Sequence, residues 1–291
     1  MPVSLVFGAS GAIGRFLVPR LLGAGHEVVG VSRETHVTRH SRLRWIRADL
    51  HADTPPMPDA DAVFSVGPLD AFANWFARTS PQCRPRVVAI GSQSAETKHD
   101  SADPHERELA ARLLAAERSL ANAADARGTA WTVLRPTLVY GAGLDRSLMP
   151  IVAFARRWRV FPSLVQAHGL RQPVHADDLA AACLRVFETA QTSRHVYGVG
   201  GGERLDFSSM LARVRASLPF RVVPLPIPFM LARAGAGLAA HLPGFGAASR
   251  SAVQRLGQDL VVDHAAAIAD FGWSPRGFHP DASAWIPPLL P

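Results

Sequence analysis

Residues 3 to 14 read VSLVFGASGAIG, an apolar, β-branched run broken by glycines at 8, 11 and 14 and followed by a helical pattern. This spacing constrains the fold more than any other stretch of the chain. A buried strand that turns within a few residues into a helix needs Gly8 for the tight turn. Gly11 then lets a ligand approach the backbone, and Gly14 lets helix and strand pack closely. The helix start leaves amides unpaired at the positive end of its dipole, where a pyrophosphate can be held. Because the pattern lies after a strand and before a helix, Gly8, Ser10, Gly11, Ala12, Ile13 and Gly14 predict a dinucleotide cradle.

Short β-branched runs alternate with helical patterns through the first half: PVSLVFG, a helix from about Ala12 to Gly23, then HEVVGVS, LRWIRA, DAVFSVG, RVVAIGS and TAWTVLR. Such alternation predicts an α/β fold, a Rossmann-type doubly wound parallel sheet with helices on both faces. A helix over 105–124 fills the crossover between the fifth and sixth strands, with Leu109, Leu113, Leu114 and Leu120 recurring near a 3.6 period. After Gly141 the pattern loosens. A helix from Leu148 to Trp158 is followed by RQPVHADDLAAACLRVFETA, a strand and a helix capped by an aspartate, and by HVYGVGG as another strand. From about Leu205 helices and proline-rich turns prevail. The expected organisation is a mainly nucleotide-binding unit over 1–165, returning elements over 166–200 and a small C-terminal substrate lobe over 201–291.

The second strand ends in Ser32 and Arg33, where an acidic side chain would accept the ribose hydroxyls of NAD. A hydroxyl and a guanidinium suit a 2′-phosphate instead, so NADP(H) is the expected cofactor. In RADL, Asp49 can face the adenine amino group and Leu50 its ring, or the two form a surface turn. Val66 and Gly67, ending the fourth strand, complete this predicted set.

Composition excludes several alternatives. The formal charge of +7 rests on 30 arginines and one lysine, Lys98, scattered as well as clustered in SRETHVTRHSRLRWIR and ARRWR. No recognition motif or aromatic-basic alternation accompanies them, so nucleic-acid binding is not expected. The apolar stretch VVPLPIPFMLARAGAGLAAHLPGF is interrupted by four prolines and Arg233, which argues against a transmembrane helix. Only Cys83 and Cys183 are present, a hundred residues apart, which supports neither a disulfide framework nor a zinc site. His36 with His40 and His99 with His105 are pairs in polar loops, and His175, Asp177 and Asp178 precede a helix, where an aspartate is first of all an N-cap, without a third ligand at sensible spacing, so no metal is expected. The start MPVSLVFGASG leaves no room for a signal peptide, giving a cytoplasmic expectation. SQSAETK lacks a nucleophile elbow, against a hydrolase.

GASGAIG, RADL, AIGSQS, LRPTLVYG, RQPVHADDLAAA and FGWSP occur in an order that resembles the extended short-chain dehydrogenases/reductases over almost the whole chain. That group includes nucleotide-sugar epimerases, dehydratases and reductases. The resemblance implies a Rossmann domain with a small substrate lobe, Pro136 bordering the cofactor, and a serine, here Ser92, that assists a catalytic Tyr backed by a Lys one turn later. With the helix registered on Glu117, the Tyr position falls on Leu109 and the Lys position on Leu113. Leucine transfers no proton, so the family's ordinary relay cannot run from this helix. The C-terminal motifs VYGVGGGERLDFSSMLARV, PLPIPFMLARAGAGLAAHLPG and SAVQRLGQDLVVD are similar to an atypical branch that includes the nucleotide-binding accessory subunit of respiratory complex I. Its members hold NADP(H) and commonly lack the Tyr and Lys.

His105, four residues before Leu109, shares its helix face and could act as general acid, or it is a solvent-facing first-turn histidine. Ser92 could serve catalysis or contact substrate. Glu108 and Arg112 are spaced for a surface ion pair. Two readings follow. One is an atypical NADP(H)-dependent oxidoreductase, epimerase- or dehydratase-like, acting on a small carbonyl or sugar-nucleotide substrate. The other is a non-catalytic NADP(H)-binding structural or redox-sensing protein that engages a partner through the PLPIPFMLARAGAGLAAHL surface.

Overall fold

The run Val3–Phe7 is strand β1, and the chain turns at Gly8 into helix α1 (Gly14–Gly23). Ala12 and Ile13, expected inside the helix, stay in the turn that precedes it. The computed structural model describes all residues except 53, 55, 80–83, 229 and 231–256. Cys83, and most of the stretch 224–242 expected to meet a partner, lie outside the described residues.

Next come β2 (Glu27–Ser32), β3 (Leu43–Arg47), β4 (Ala62–Ser65), α2 (Leu69–Arg78), β5 (Arg86–Ile90), α3 (Ser94–Thr97), α4 (Pro104–Ala126) and β6 (Trp131–Pro136). They are followed by β7 (Val139–Tyr140), α5 (Met149–Trp158), β8 (Val160–Val165), β9 (Leu170–Arg171), β10 (Val174–His175), α6 (Ala176–Glu188) and β11 (His195–Val199). The chain closes with β12 (Leu205–Asp206), α7 (Phe207–Ala216), β13 (Val223–Pro228) and α8 (Ala265–Phe271).

Seven strands form one parallel sheet in the order β11-β6-β5-β4-β1-β2-β3. The direction of winding reverses between β1 and β4, and in such sheets the crevice at that switch point is where ligands bind. Leu17 and Leu21 of α1 pack with Leu179 and Cys183 of α6 on one face, and Phe72, Phe76 and Leu120 fill the other. Both faces are therefore covered, as the unbroken apolar strands require.

Helix α4 starts where its sequence says it should. Asp103 caps it by accepting the His105 amide at 2.9 Å, and Pro104 takes the first turn, where no donor is needed. Its buried stripe is Glu106, Ala110, Glu117, Leu120 and Ala124. Arg112 pairs with Asp70 of α2 at 3.6 Å, rather than with Glu108, because α2 and α4 lie side by side. The cap of α6 also differs from expectation. His175 itself is the N-cap, its Nδ1 accepting the Asp177 amide at 3.1 Å, which leaves both aspartates for ion pairs.

The smaller lobe draws on two chain segments. Leu148, Val152 and Phe161 share a core with Leu205, Met210, Phe278 and Trp285, and β13 pairs in parallel with β8. The helix 149–158 therefore serves this lobe as well as following the sheet. Among the described residues no helix is long and apolar enough to cross a membrane.

Candidate functional site

The glycine loop is held against the sheet by its own backbone. The amides of Gly8 and Ala9 donate to the Val31 carbonyl at 3.2 and 3.3 Å, and Gly11 donates back to Gly8 at 2.9 Å. Gly8 has φ 79°, and a Cβ there would stand 2.9 Å from the Gly67 amide nitrogen, so Gly8, Val66 and Gly67 meet backbone to backbone. At Gly14 a Cβ would stand 2.5 Å from the Ala9 carbonyl oxygen. No side chain caps α1 at Ile13; the Arg15 and Phe16 amides already donate to the Gly11 and Ile13 carbonyls at 3.0 and 3.1 Å, which leaves the amides of Ala12, Ile13 and Gly14 to meet an anion. The cradle thus fits a pyrophosphate on geometry as well as on spacing.

At the end of β2 the structure joins Ser10 to Ser32, hydroxyl to hydroxyl, at 2.9 Å. Ser32 is buried and also accepts from the Glu34 amide at 3.2 Å, with His36 Nε2 3.0 Å away. Arg33 is exposed, its carbonyl taking a bond from Arg47 Nε at 3.2 Å. Asp49 turns its carboxylate onto the His51 amide at 3.0 Å and Leu50 packs on the core. Sequence reading weighed His36 only as a metal ligand and passed over Trp45; the two rings meet at 4.5 Å beside Ser32. Trp45 lies over Gly30, where a Cβ would be 2.8 Å from the indole.

The other end of the crevice lies between β5 and β6. Gln93, next to Ser92, donates its amide to the Pro136 carbonyl at 3.0 Å, bringing those two predicted residues together. The Ser92 hydroxyl accepts the Ser94 amide at 3.2 Å. Arg135 Nε donates to Glu117 Oε1 at 2.9 Å, and the same guanidinium also bonds Glu96. The bond to Glu117 raises the Arg135 pKa against the opposing effect of burial. His105 is exposed, and among the described residues no bond joins it to Ser92. Lys98, by contrast, reaches back to Glu106 at 3.5 Å, and Ser101 donates to the same carboxylate at 2.7 Å. That polar cluster lies about one turn before Leu109.

A cavity of about 530 Å³ lies beside the cradle, lined by Phe16, Tyr140, His175, Arg276, Asp281 and the chain end from Ile286 to Leu289. Arg15 links the two, its Nε donating to the Ser10 carbonyl at 2.9 Å and its terminal nitrogen to Pro288. Burial pushes the Tyr140 phenol up to about 12, and burial together with the Arg276 charge lowers His175. Arg276 is engaged by Asp177 at 2.8 Å and Asp178 at 2.7 Å. Burial opposes ionisation of Asp177, yet hydrogen bonds from Arg20 and Arg276 hold its carboxyl below the usual range. The motif HADD thus binds α6 to α1 and to the chain end. Among the described residues no group of three or more metal-ligating side chains converges.

Residues 8–142 match the family model described as NAD(P)H-binding. Uncharacterized proteins of Mycobacterium tuberculosis and Mycobacterium bovis are 28% identical over 240 residues, which cover 77% of this chain and 24% of theirs. The chain thus spans about a quarter of the length of those relatives. A mitochondrial NADH dehydrogenase [ubiquinone] 1 alpha subcomplex subunit 9 of Dictyostelium discoideum is 32% identical over 80 residues, 28% of this chain and 22% of that one. Among solved structures, a UDP-galactose 4-epimerase superposes with TM-score 0.69 at 16% identity, covering 97% of this chain and 96% of that one. The UDP-glucuronic acid 4-epimerase of Bacillus cereus in complex with NAD gives 0.67 at 15%, covering 98% and 97%. Residues 8–142 thus resemble an NAD(P)H-binding domain, and the chain as a whole shares the fold of those epimerase structures.

Proposed function

We propose that the protein binds NADP(H) and holds it as a structural or redox-sensing ligand, without the proton relay of the family it resembles. The observation that carries this is the face of α4. Glu117, which marks the register, bonds Arg135 at the end of β6, while the two preceding turns present Leu109 and Leu113. Neither leucine can hold or move a proton. The nicotinamide, when bound, would supply hydride exchange. Ser92 could bond a substrate oxygen, but among the described residues no bond links it to an imidazole, lysine or carboxylate that would take its proton.

The preference for NADP(H) is supported by the end of β2. The Ser32 hydroxyl is held inward by Ser10 and the Glu34 amide, so the exposed Arg33 is the group able to meet a 2′-phosphate. Calorimetric titration with NADPH and NADH, together with NADPH oxidation over a panel of carbonyls and sugar nucleotides, tests both parts. Tight NADPH binding without turnover is expected. Turnover lost on Ser92→Ala or His105→Ala would overturn the proposal.

One observation favours a second reading, an atypical oxidoreductase on a small carbonyl or sugar-nucleotide substrate. The superposition on a UDP-galactose 4-epimerase runs over 97% of this chain, and so extends beyond the nucleotide-binding segment. The same panel assay separates the two.

A further inference from the structure

We propose that the small lobe carries a docking surface for the headgroup region of an anionic lipid bilayer, formed by the C-terminal end of α5 and strand β13. The apolar groups there are large and uncovered: Phe154 is 45% exposed, Trp158 61%, Val223 66% and Leu225 50%. Phe154 and Trp158 are four residues apart on one helix and share a face. The Val223 amide donates to the Arg159 carbonyl at 2.8 Å, which brings the start of β13 against the end of that helix. The four side chains therefore lie about one helix–strand junction rather than singly over the surface.

Two features limit what can cover it. The first is the edge of β13, whose sequence is VPLPIP. The amide of Val223 points to β8, so by strand alternation those of Leu225 and Ile227 do too. The outward positions 224, 226 and 228 are prolines and have no N–H. A partner strand cannot add to that edge, so this face is not extended by sheet formation.

The second feature is charge. Segments 149–165 and 207–228 contain no aspartate or glutamate, yet include Arg156, Arg157, Arg159, Arg215 and Arg221. Arg157 lies over the Trp158 ring at 5.1 Å and Arg159 over Phe220 at 5.0 Å, so cations flank the aromatic groups directly. Arginines beside aromatic and aliphatic groups, with no acid in either segment, match the interface of a bilayer containing acidic lipids, although Arg213 of α7 is already paired with Glu203. The attachment proposed is peripheral, through this face of the lobe.

The test is co-sedimentation of the full chain with vesicles of phosphatidylcholine alone and of phosphatidylcholine with phosphatidylglycerol, roughly three to one. Sedimentation with the acidic vesicles only, reversed by salt, is expected. Arg157→Ala should weaken it about fivefold, whereas Arg118→Ala, equal in charge but on α4, should not. Trp158→Ser and Leu225→Ser should each weaken it too, with thermal melts confirming that the variants fold. Absence of sedimentation, equal losses for Arg157→Ala and Arg118→Ala, or no loss on either apolar substitution would overturn the proposal. So would light scattering that shows a dimer dissociated by Trp158→Ser, since the surface would then belong to a second copy.

Discussion

Arg135 and Glu117 form a nearly buried ion pair, the guanidinium 11% and the carboxylate 7% exposed, with Nε donating to Oε1 at 2.9 Å. It ties the end of β6 to the middle of α4. A Cβ on Gly91 would stand 3.0 Å from the same carboxylate oxygen, so β5 is part of the arrangement. Removing one partner of a buried pair leaves the other charge stranded. Glu117→Ala should therefore cost about 3 kcal/mol, the low end of the usual range because Glu96 remains. Urea unfolding measures it, and an unchanged midpoint would contradict the assignment.

The cradle makes a steric prediction. Gly14→Ala forces a methyl against the Ala9 and Gly8 carbonyls, and backbone cannot give way as a flexible side chain would. A loss of about 1 to 3 kcal/mol in stability is expected, with nucleotide affinity reduced alongside. Melting and NADPH titration of the variant check both effects.

Arg33→Ala should weaken NADPH binding about tenfold and leave NADH binding unaltered, as expected for loss of one exposed, charge-assisted phosphate contact. Parallel titrations decide this. Equal losses for both nucleotides would place Arg33 away from the 2′-phosphate.

Stability should fall in mild acid. His26 is buried on Ser4, its Nδ1 2.7 Å from the hydroxyl, and burial lowers its pKa from the ordinary 6.5. His175 and His264 are lowered as well, burial again being the main cause. These side chains protonate more readily unfolded than folded. The stability they confer is complete above pH 6.5 and is lost as pH drops through the interval down to their folded values. His26→Asn should flatten that slope in pH-dependent unfolding, and an unchanged slope would show that His26 does not carry it.

The parallel sheet was legible because most of its strands are short apolar runs bounded by turn residues, and the tight turn from β1 to α1 because three glycines fall between a strand and a helix. The β13–β8 pairing was not. VPLPIP reads as a proline-rich turn, and only the chain's return beside Arg159 makes it a strand. Arg15 was passed over since its contact, the Pro288 carbonyl, is remote in sequence. Glu117 served to register the helix, but the partner that buries it lies across a strand crossover. His175 as a cap was missed because aspartate is the commoner choice.

The most direct measurement of the central claim is NADPH titration of the purified chain joined to a turnover assay with carbonyls and UDP-sugars. Saturable NADPH binding tighter than NADH binding, with no nucleotide consumed and no sugar epimerised, is the predicted result. Turnover that Ser92→Ala or His105→Ala abolishes would contradict it.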